Sequence, residues 1–154
     1  MKKFSLFIAS LVLFASCGGW AVDFAPINFY IGVVNSDGVD LLNSENEDAL
    51  DLSKIVLHFE GKSYMLNPEE TRAYLAIFSG MELRKYDNQN FLYVGEFDGG
   101  NNVENREFVI EWGDGTSDSF SYTNKVGVKS VRKRRFYHNG KQVDSKYITV
   151  VKPM

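Results

Sequence analysis

The sequence predicts an all-β fold, a single antiparallel β-sandwich of the immunoglobulin-like or jelly-roll-like kind. Three observations support this prediction. Aromatic residues make up 14% of the chain, and Phe and Tyr favour strands over helices. Short segments in which apolar and polar residues alternate recur along the chain, as they do in half-buried strands. Turns rich in Gly, Asn and Asp separate these segments at the short spacing typical of sandwiches.

The first half of the chain contains four predicted strands. In the first, Ile27, Phe29, Ile31 and Val33 fall on one face, and a strand buries one such face. In the third, Ile55, Leu57 and Phe59 point inward in the same way. The predicted strands are 26–34, 39–42, 54–60 and 63–66, with a turn at 35–38 and an acidic loop over 43–51.

The second half contains seven further predicted strands. Asn139-Gly140 is a strong signal for a type I′ hairpin turn, since both central residues of that turn need positive φ. Residues 87–90 are predicted to form a four-residue hairpin loop. The predicted strands are 81–86, 91–97, 106–112, 119–123, 131–138, 141–143 and 147–151.

One segment has two interpretations. Asn67 could cap a short helix over 68–79 that ends at Gly80, with Pro68 in the first turn. Alternatively, Asn67 and Pro68 form a turn that leads into a strand over 72–78. The sequence favours neither interpretation, and the sandwich is predicted in both.

The N-terminus has the layout of a secretory signal peptide. Lys2 and Lys3 precede an apolar run over 4–14, and small residues follow it. This run is too short to cross a bilayer, which requires about 20 apolar residues. We therefore exclude residues 1–16 from the predicted fold.

Cys17 is the only cysteine in the chain, so no intramolecular disulfide can form. The segment 13–17, Leu-Phe-Ala-Ser-Cys, resembles a bacterial lipobox, in which lipid is transferred to the cysteine thiol. The resemblance implies cleavage before Cys17, a lipidated tether over 17–25, and a domain over 26–154. It also implies anchoring of the protein to a bacterial membrane, the outer membrane in our prediction. The alternative is ordinary secretion with a free thiol.

Charge is unevenly distributed. The segment 125–154 has nine basic residues and one acidic residue, whereas the preceding part of the chain is predominantly acidic. The basic segment either pairs with acidic strands or forms a patch for anionic polysaccharide or lipid headgroups. Nucleic acid is a poor partner for an envelope protein. The run of Lys129 and Arg132 to Arg135 suggests an edge strand, where charges discourage aggregation.

The string Trp112-Gly-Asp-Gly-Thr116 predicts a tight turn in which the Asp114 side chain bonds local backbone. This string resembles part of the Trp-x-Phe-Gly-Asp-Gly segment of PKD domains, which are immunoglobulin-like sandwiches of surface proteins. The resemblance implies a sandwich. A second interpretation is a calcium loop that uses Asp114 and Asp118, although the spacing does not match an EF-hand.

We predict no catalytic residues, no metal site and no cofactor. His58 and His138 are the only histidines, and without a further cysteine they are too few for a zinc site, which needs three or four ligands. Glu107 and Glu111 share one face of a strand, whereas glycosidases place two carboxylates across a cleft.

Turn-rich strings recur along the chain at 37–42, 61–64, 95–99, 112–116 and 137–141. In these strings the chain is similar to small lipoproteins of unknown function from Bacteroidota. The resemblance implies a compact β domain outside the cytoplasm and assigns no activity.

The predicted function is therefore a membrane-anchored, non-catalytic module that binds a glycan or a protein partner. Exposed aromatic residues would form the sugar-binding surface. The sequence does not assign its residues, and it leaves open whether Trp20, Tyr86 or Tyr93 is exposed. The alternatives are a structural subunit of an envelope complex and, more remotely, a polysaccharide hydrolase.

Overall fold

The computed structural model describes residues 25–66, 78, 80–127 and 132–153. Within these residues the chain forms ten β-strands and one short 3₁₀ turn at Leu52–Lys54. The strands are β1 (Ile27–Asn35), β2 (Val56–Phe59), β3 (Lys62–Met65), β4 (Met81–Tyr86), β5 (Gln89–Phe97), β6 (Val103–Glu111), β7 (Ser117–Val126), β8 (Arg132–His138), β9 (Lys141–Val143) and β10 (Tyr147–Lys152).

The strands form two sheets packed face to face, which confirms the predicted all-β sandwich. Sheet I has the strand order β10-β1-β5-β4, and sheet II has the order β3-β2-β6-β7-β8-β9. Among the ten strands, paired neighbours are antiparallel except β1 and β10, which pair in parallel. Parallel neighbours cannot be joined by a hairpin, and here nearly the whole domain forms the connection between them.

Two local predictions were wrong. The segment predicted as a strand over 39–42 makes only an isolated bridge, between Val34 and Asp40. Asp40 instead accepts hydrogen bonds from the backbone amides of Leu42 (2.9 Å) and Asn90 (2.8 Å), which hold the segment as a loop against the sheet. The predicted helix or strand within 67–80 lies almost entirely outside the described residues.

The second wrong prediction concerns the hairpin between β4 and β5. Tyr86 pairs with Gln89, so the loop has two residues and not four. Asp87 and Asn88 both have positive φ, 45° and 66°, as a type I′ turn requires. Asn and Asp tolerate this conformation better than other non-glycine residues. β5 therefore begins two residues earlier than predicted, whereas β4 has the predicted bounds.

Alternate residues of β1 form the centre of the core. Ile27, Phe29, Ile31 and Val33 are at most 1% exposed, as their periodicity predicted. The Phe29 ring meets Phe108 at 5.0 Å between ring centres, in the edge-to-face arrangement that aromatic pairs favour. The core therefore lies between the two sheets and leaves their outer faces for other contacts.

Trp112, the first residue after β6, is fully buried. Its backbone amide donates to the carbonyl of Thr116 at 3.0 Å, which closes the predicted turn. Gly113 has a φ of +78°, and a Cβ at this position would overlap the Cβ of Lys54. The turn therefore needs glycine both for its backbone conformation and for its close approach to Lys54.

Candidate binding face

Large apolar side chains are exposed on the outer face of sheet I. Five large hydrophobic side chains are exposed in the described part of the chain. Three of them, Tyr86 (72%), Tyr147 (59%) and Val151 (62%), lie on this face. Clustered exposed apolar residues mark interaction sites more often than scattered ones do.

Three tyrosines lie in one row across this face, and we call them the tyrosine platform: Tyr147 on β10, Tyr30 on β1 and Tyr93 on β5. The strand registers place Tyr30 directly opposite both of the others. The rings of Tyr30 and Tyr147 are stacked, with centres 4.7 Å apart and planes 15° apart. Tyr93 meets the Tyr30 ring edge-on at 5.3 Å. The three rings are therefore in contact along one line across three strands.

Arg84 covers Tyr93, the end of the platform on β5. The Arg84 guanidinium lies 3.6 Å from the centre of the Tyr93 ring and donates to Glu82 at 2.8 Å. Tyr93 is only 5% exposed as a result, and this burial raises the pKa of its hydroxyl. Tyr147, at the sheet edge, is therefore the most accessible ring of the platform.

A chain of polar groups borders the platform. Lys146 donates to the Asn28 side-chain oxygen at 2.8 Å, and the Asn28 amide donates to the Tyr93 hydroxyl at 3.2 Å. That hydroxyl donates to Glu96 at 3.4 Å. The face thus combines flat aromatic rings with hydrogen-bonding groups of both polarities at their edge.

The outer face of sheet II has a different character. The corresponding row across β6, β7 and β8 consists of Glu107, Ser121 and Tyr137, and it continues to Gln142 on β9. It has one aromatic residue and no stacked pair among the described rings. The aromatic platform is therefore a property of sheet I.

The predicted turn at 112–116 is confirmed, and Asp114 has a structural role in it. Its carboxylate accepts hydrogen bonds from the Thr116 amide (2.8 Å) and from the Lys152 ammonium (2.6 Å). Partial burial alone would raise the pKa of Asp114, but the hydrogen bonds from Lys152 and Thr116 outweigh it and lower the pKa to about 2. Asp114 therefore joins sheet II to the end of β10.

Asp118 does not share a ligand site with Asp114. It accepts from the Trp112 indole at 2.7 Å, and it bonds His138 at 2.8 Å and Asn139 at 2.6 Å. These hydrogen bonds outweigh the effect of burial and lower the pKa of Asp118. Among the described residues, no group of three or more His, Cys, Asp or Glu side chains could hold a metal ion. The geometry does not favour the calcium interpretation.

The other sequence candidates are also separate. His58 Nδ1 and the Ser63 hydroxyl share a hydrogen bond of 3.0 Å. His58 Nε2 lies 3.3 Å from a carboxylate oxygen of Glu111, on the outer face of sheet II. Strands β6 and β7 lie between His58 on β2 and His138 on β8. Glu107 and Glu111, four residues apart on one strand, lie about 13 Å apart at the rise of a strand. That separation exceeds the spacing of glycosidase carboxylates, about 5 to 9.5 Å.

The basic C-terminal segment has two kinds of contact. Lys152 and Lys125 pair with Asp114 and Glu104, as the interpretation of internal complementarity predicts. Arg134 and Lys146 instead donate to neutral oxygens, of the Ala25 carbonyl (2.6 Å) and of Asn28 (2.8 Å). β9 pairs only with Phe136–His138 of β8. The basic half of β8 therefore extends past the end of β9, and this agrees in part with the predicted edge strand.

Sequence reasoning assigned no residues to this face and asked only whether three aromatic residues are exposed. Tyr86 is exposed, Tyr93 is buried beneath Arg84, and Trp20 lies outside the described residues. Tyr30 and Tyr147 were missed as site residues. Their outward positions could have been read from the alternation of β1 and β10, but their contact depends on the parallel pairing of those strands.

Comparison with known proteins gave no match: no family model, no curated protein and no solved structure is significantly similar to the chain. Within the described residues, no helix is long and apolar enough to cross a membrane.

Proposed function

We propose that this chain is a membrane-anchored envelope lipoprotein whose β-sandwich binds a glycan, without catalysis, through the tyrosine platform. The observation that carries the proposal is the row of Tyr147, Tyr30 and Tyr93 on the outer face of sheet I. Sugar rings have an apolar C–H face that stacks on aromatic rings, and hydroxyls that need hydrogen-bond partners at the ring edge.

The polar groups beside the platform support a glycan over an apolar protein partner. Asn28 offers both a donor and an acceptor, Lys146 offers donors, and Glu96 offers acceptors. All three lie in one hydrogen-bonded chain that ends on the platform tyrosine Tyr93. An apolar protein interface would instead be expected to exclude charged groups from its centre.

The first test of this proposal is Tyr147→Ala. We expect at least a tenfold loss of affinity for the glycan identified on a broad array, since truncating a central aromatic contact costs about 2 kcal/mol or more. Tyr147 is more than half exposed, so the free energy of unfolding should change by less than about 1 kcal/mol. Titration calorimetry measures the first quantity and urea denaturation the second.

Tyr137→Ala is the matched control, because Tyr137 lies on the outer face of sheet II. It should leave glycan affinity unchanged. Equal losses in the two variants would argue against the platform, and the absence of binding across the array would refute glycan recognition. A stoichiometric protein partner that co-purifies would then favour the alternative of an assembly subunit.

The second test concerns the anchor. We expect metabolic labelling with a fatty acid to modify the wild-type protein and to be lost in Cys17→Ala, because Cys17 carries the only thiol in the chain. Cys17→Ser serves as a second variant that keeps the size and polarity of the side chain. Undiminished labelling of both variants would refute the proposed lipidation without affecting the glycan proposal.

A further inference from the structure

Lys146 lies beside the stacked pair of the platform. It immediately precedes Tyr147, and its ammonium is 5.1 Å from the centre of the Tyr30 ring and 5.6 Å from that of Tyr147. Because these distances are similar and the two rings are stacked, the ammonium sits at the shared edge of the pair. A ligand that stacks on Tyr147 would therefore bring its own ring edge close to Lys146.

The hydrogen-bond partner of Lys146 is neutral, whereas three other cations of the described residues pair with carboxylates. Arg84 pairs with Glu82, Arg106 with Glu60 and Lys152 with Asp114. Lys146 donates to the amide oxygen of Asn28. The carboxylate in the same network, Glu96, bonds the Tyr93 hydroxyl at the other end of the chain of polar groups.

A second cation adds to the positive potential near Lys146. Arg134 donates to the backbone carbonyl of Ala25, which is also neutral. Burial, and then the charge of Arg134, lower the pKa of Lys146. Both effects make the charged form of Lys146 less favourable, and a bound anion would stabilise that form.

We propose that the ligand of the tyrosine platform is an acidic glycan, whose sugar ring stacks on Tyr147 while its carboxylate pairs with Lys146. This inference rests on the proposed glycan binding and adds the chemical class of the sugar. In a uronic acid the carboxylate lies at the ring edge, so stacking on an aromatic face leaves it free to meet a cation beside that face. Charge-assisted hydrogen bonds of this kind are about twice as strong as neutral ones.

The test compares ligands that differ only in charge. Oligogalacturonate, alginate oligomers and sialylated oligosaccharides are each titrated beside their methyl esters, which keep the sugar ring and remove the carboxylate charge. We expect the wild-type protein to bind at least one acid tenfold or more tightly than its ester, and this preference to shrink as salt is raised.

Lys146→Met should abolish the preference, so that acid and ester bind equally well. A merely structural effect of the substitution would weaken both ligands alike and leave their ratio unchanged. Lys85→Met, at an exposed lysine on the opposite edge strand of sheet I, should retain the wild-type ratio. Tyr147→Ala should weaken acid and ester by similar factors, because stacking does not depend on the charge.

The outcomes separate the two proposals. Binding of a neutral glycan without any preference for acids would overturn the assignment of an acidic ligand and leave glycan binding intact. A preference that survives in Lys146→Met would overturn the role of Lys146. The absence of binding to every neutral and acidic glycan would refute both proposals.

Discussion

Replacing Trp112 with Ala is expected to destabilise the domain by about 4 kcal/mol, since removing a fully buried Trp costs about 3 to 5 kcal/mol. Two losses contribute. The indole is completely buried among core side chains, so its removal leaves a cavity. Its N–H donates to Asp118 at 2.7 Å, so its removal also takes a donor from a partly buried carboxylate. Urea denaturation followed by circular dichroism measures the change.

Two further variants separate the causes of this loss of stability. Trp112→Phe keeps most of the apolar volume but loses the N–H donor, and we expect it to cost about half as much or less. Tyr86→Ala removes a large aromatic side chain that is 72% exposed, and it should change stability by less than about 0.5 kcal/mol. If Trp112→Ala cost less than 1 kcal/mol, the described packing around the turn would be wrong.

Asp114→Asn is expected to cost about 2 to 3 kcal/mol at neutral pH. The side chain of Lys152 is only 10% exposed, and its ammonium would lose its carboxylate partner. Breaking a buried ion pair costs about 3 to 5 kcal/mol, and we expect a cost just below this range because Asp114 is 32% exposed. The matched control is Asp51→Asn, which breaks the exposed Asp51–Lys54 pair and should cost far less than Asp114→Asn, because exposed ion pairs contribute little to stability.

The same pair predicts a pH dependence with a definite sign. The pKa of Asp114 is lowered from 3.8 to about 2 by folding, so its contribution is complete above the unfolded value and is lost as pH falls toward 2. The stability difference between wild type and Asp114→Asn should therefore shrink between about pH 5 and pH 2. A difference that stays constant over this range would contradict a charged Asp114–Lys152 contact. The double variant with Lys152→Met should recover part of the loss.

The strands could be predicted from the sequence because their signals are local. Alternation in β1 gives both the strand and its buried face, and Asn139-Gly140 gives the turn between β8 and β9, where both residues have positive φ. The loop at 39–42 was mispredicted because its conformation depends on a hydrogen bond that the Asn90 amide, on a distant strand, donates to Asp40. A short apolar segment carries no local sign of such a contact.

The binding face could be predicted only in part, for a similar reason. Local alternation shows that Tyr30 and Tyr147 point outward, but the stacking of their rings depends on two strands from opposite ends of the domain lying side by side. Tyr93 has the same outward position, but Arg84 on the neighbouring strand covers its ring. Pairing between distant strands is not encoded in the pattern of either strand alone.

The parallel pairing of β1 with β10 also affects how the domain folds. Until β10 is available, β1 has an unpaired edge, Ile148 and Val150 are missing from the core, and Asp114 lacks Lys152. Contacts between the two ends of a chain give a high contact order, which slows folding. The domain is therefore expected to stay incompletely folded while its C-terminal residues are still being synthesised. A chain that is exported in an unfolded state, as the proposed signal peptide implies, would gain from this delay.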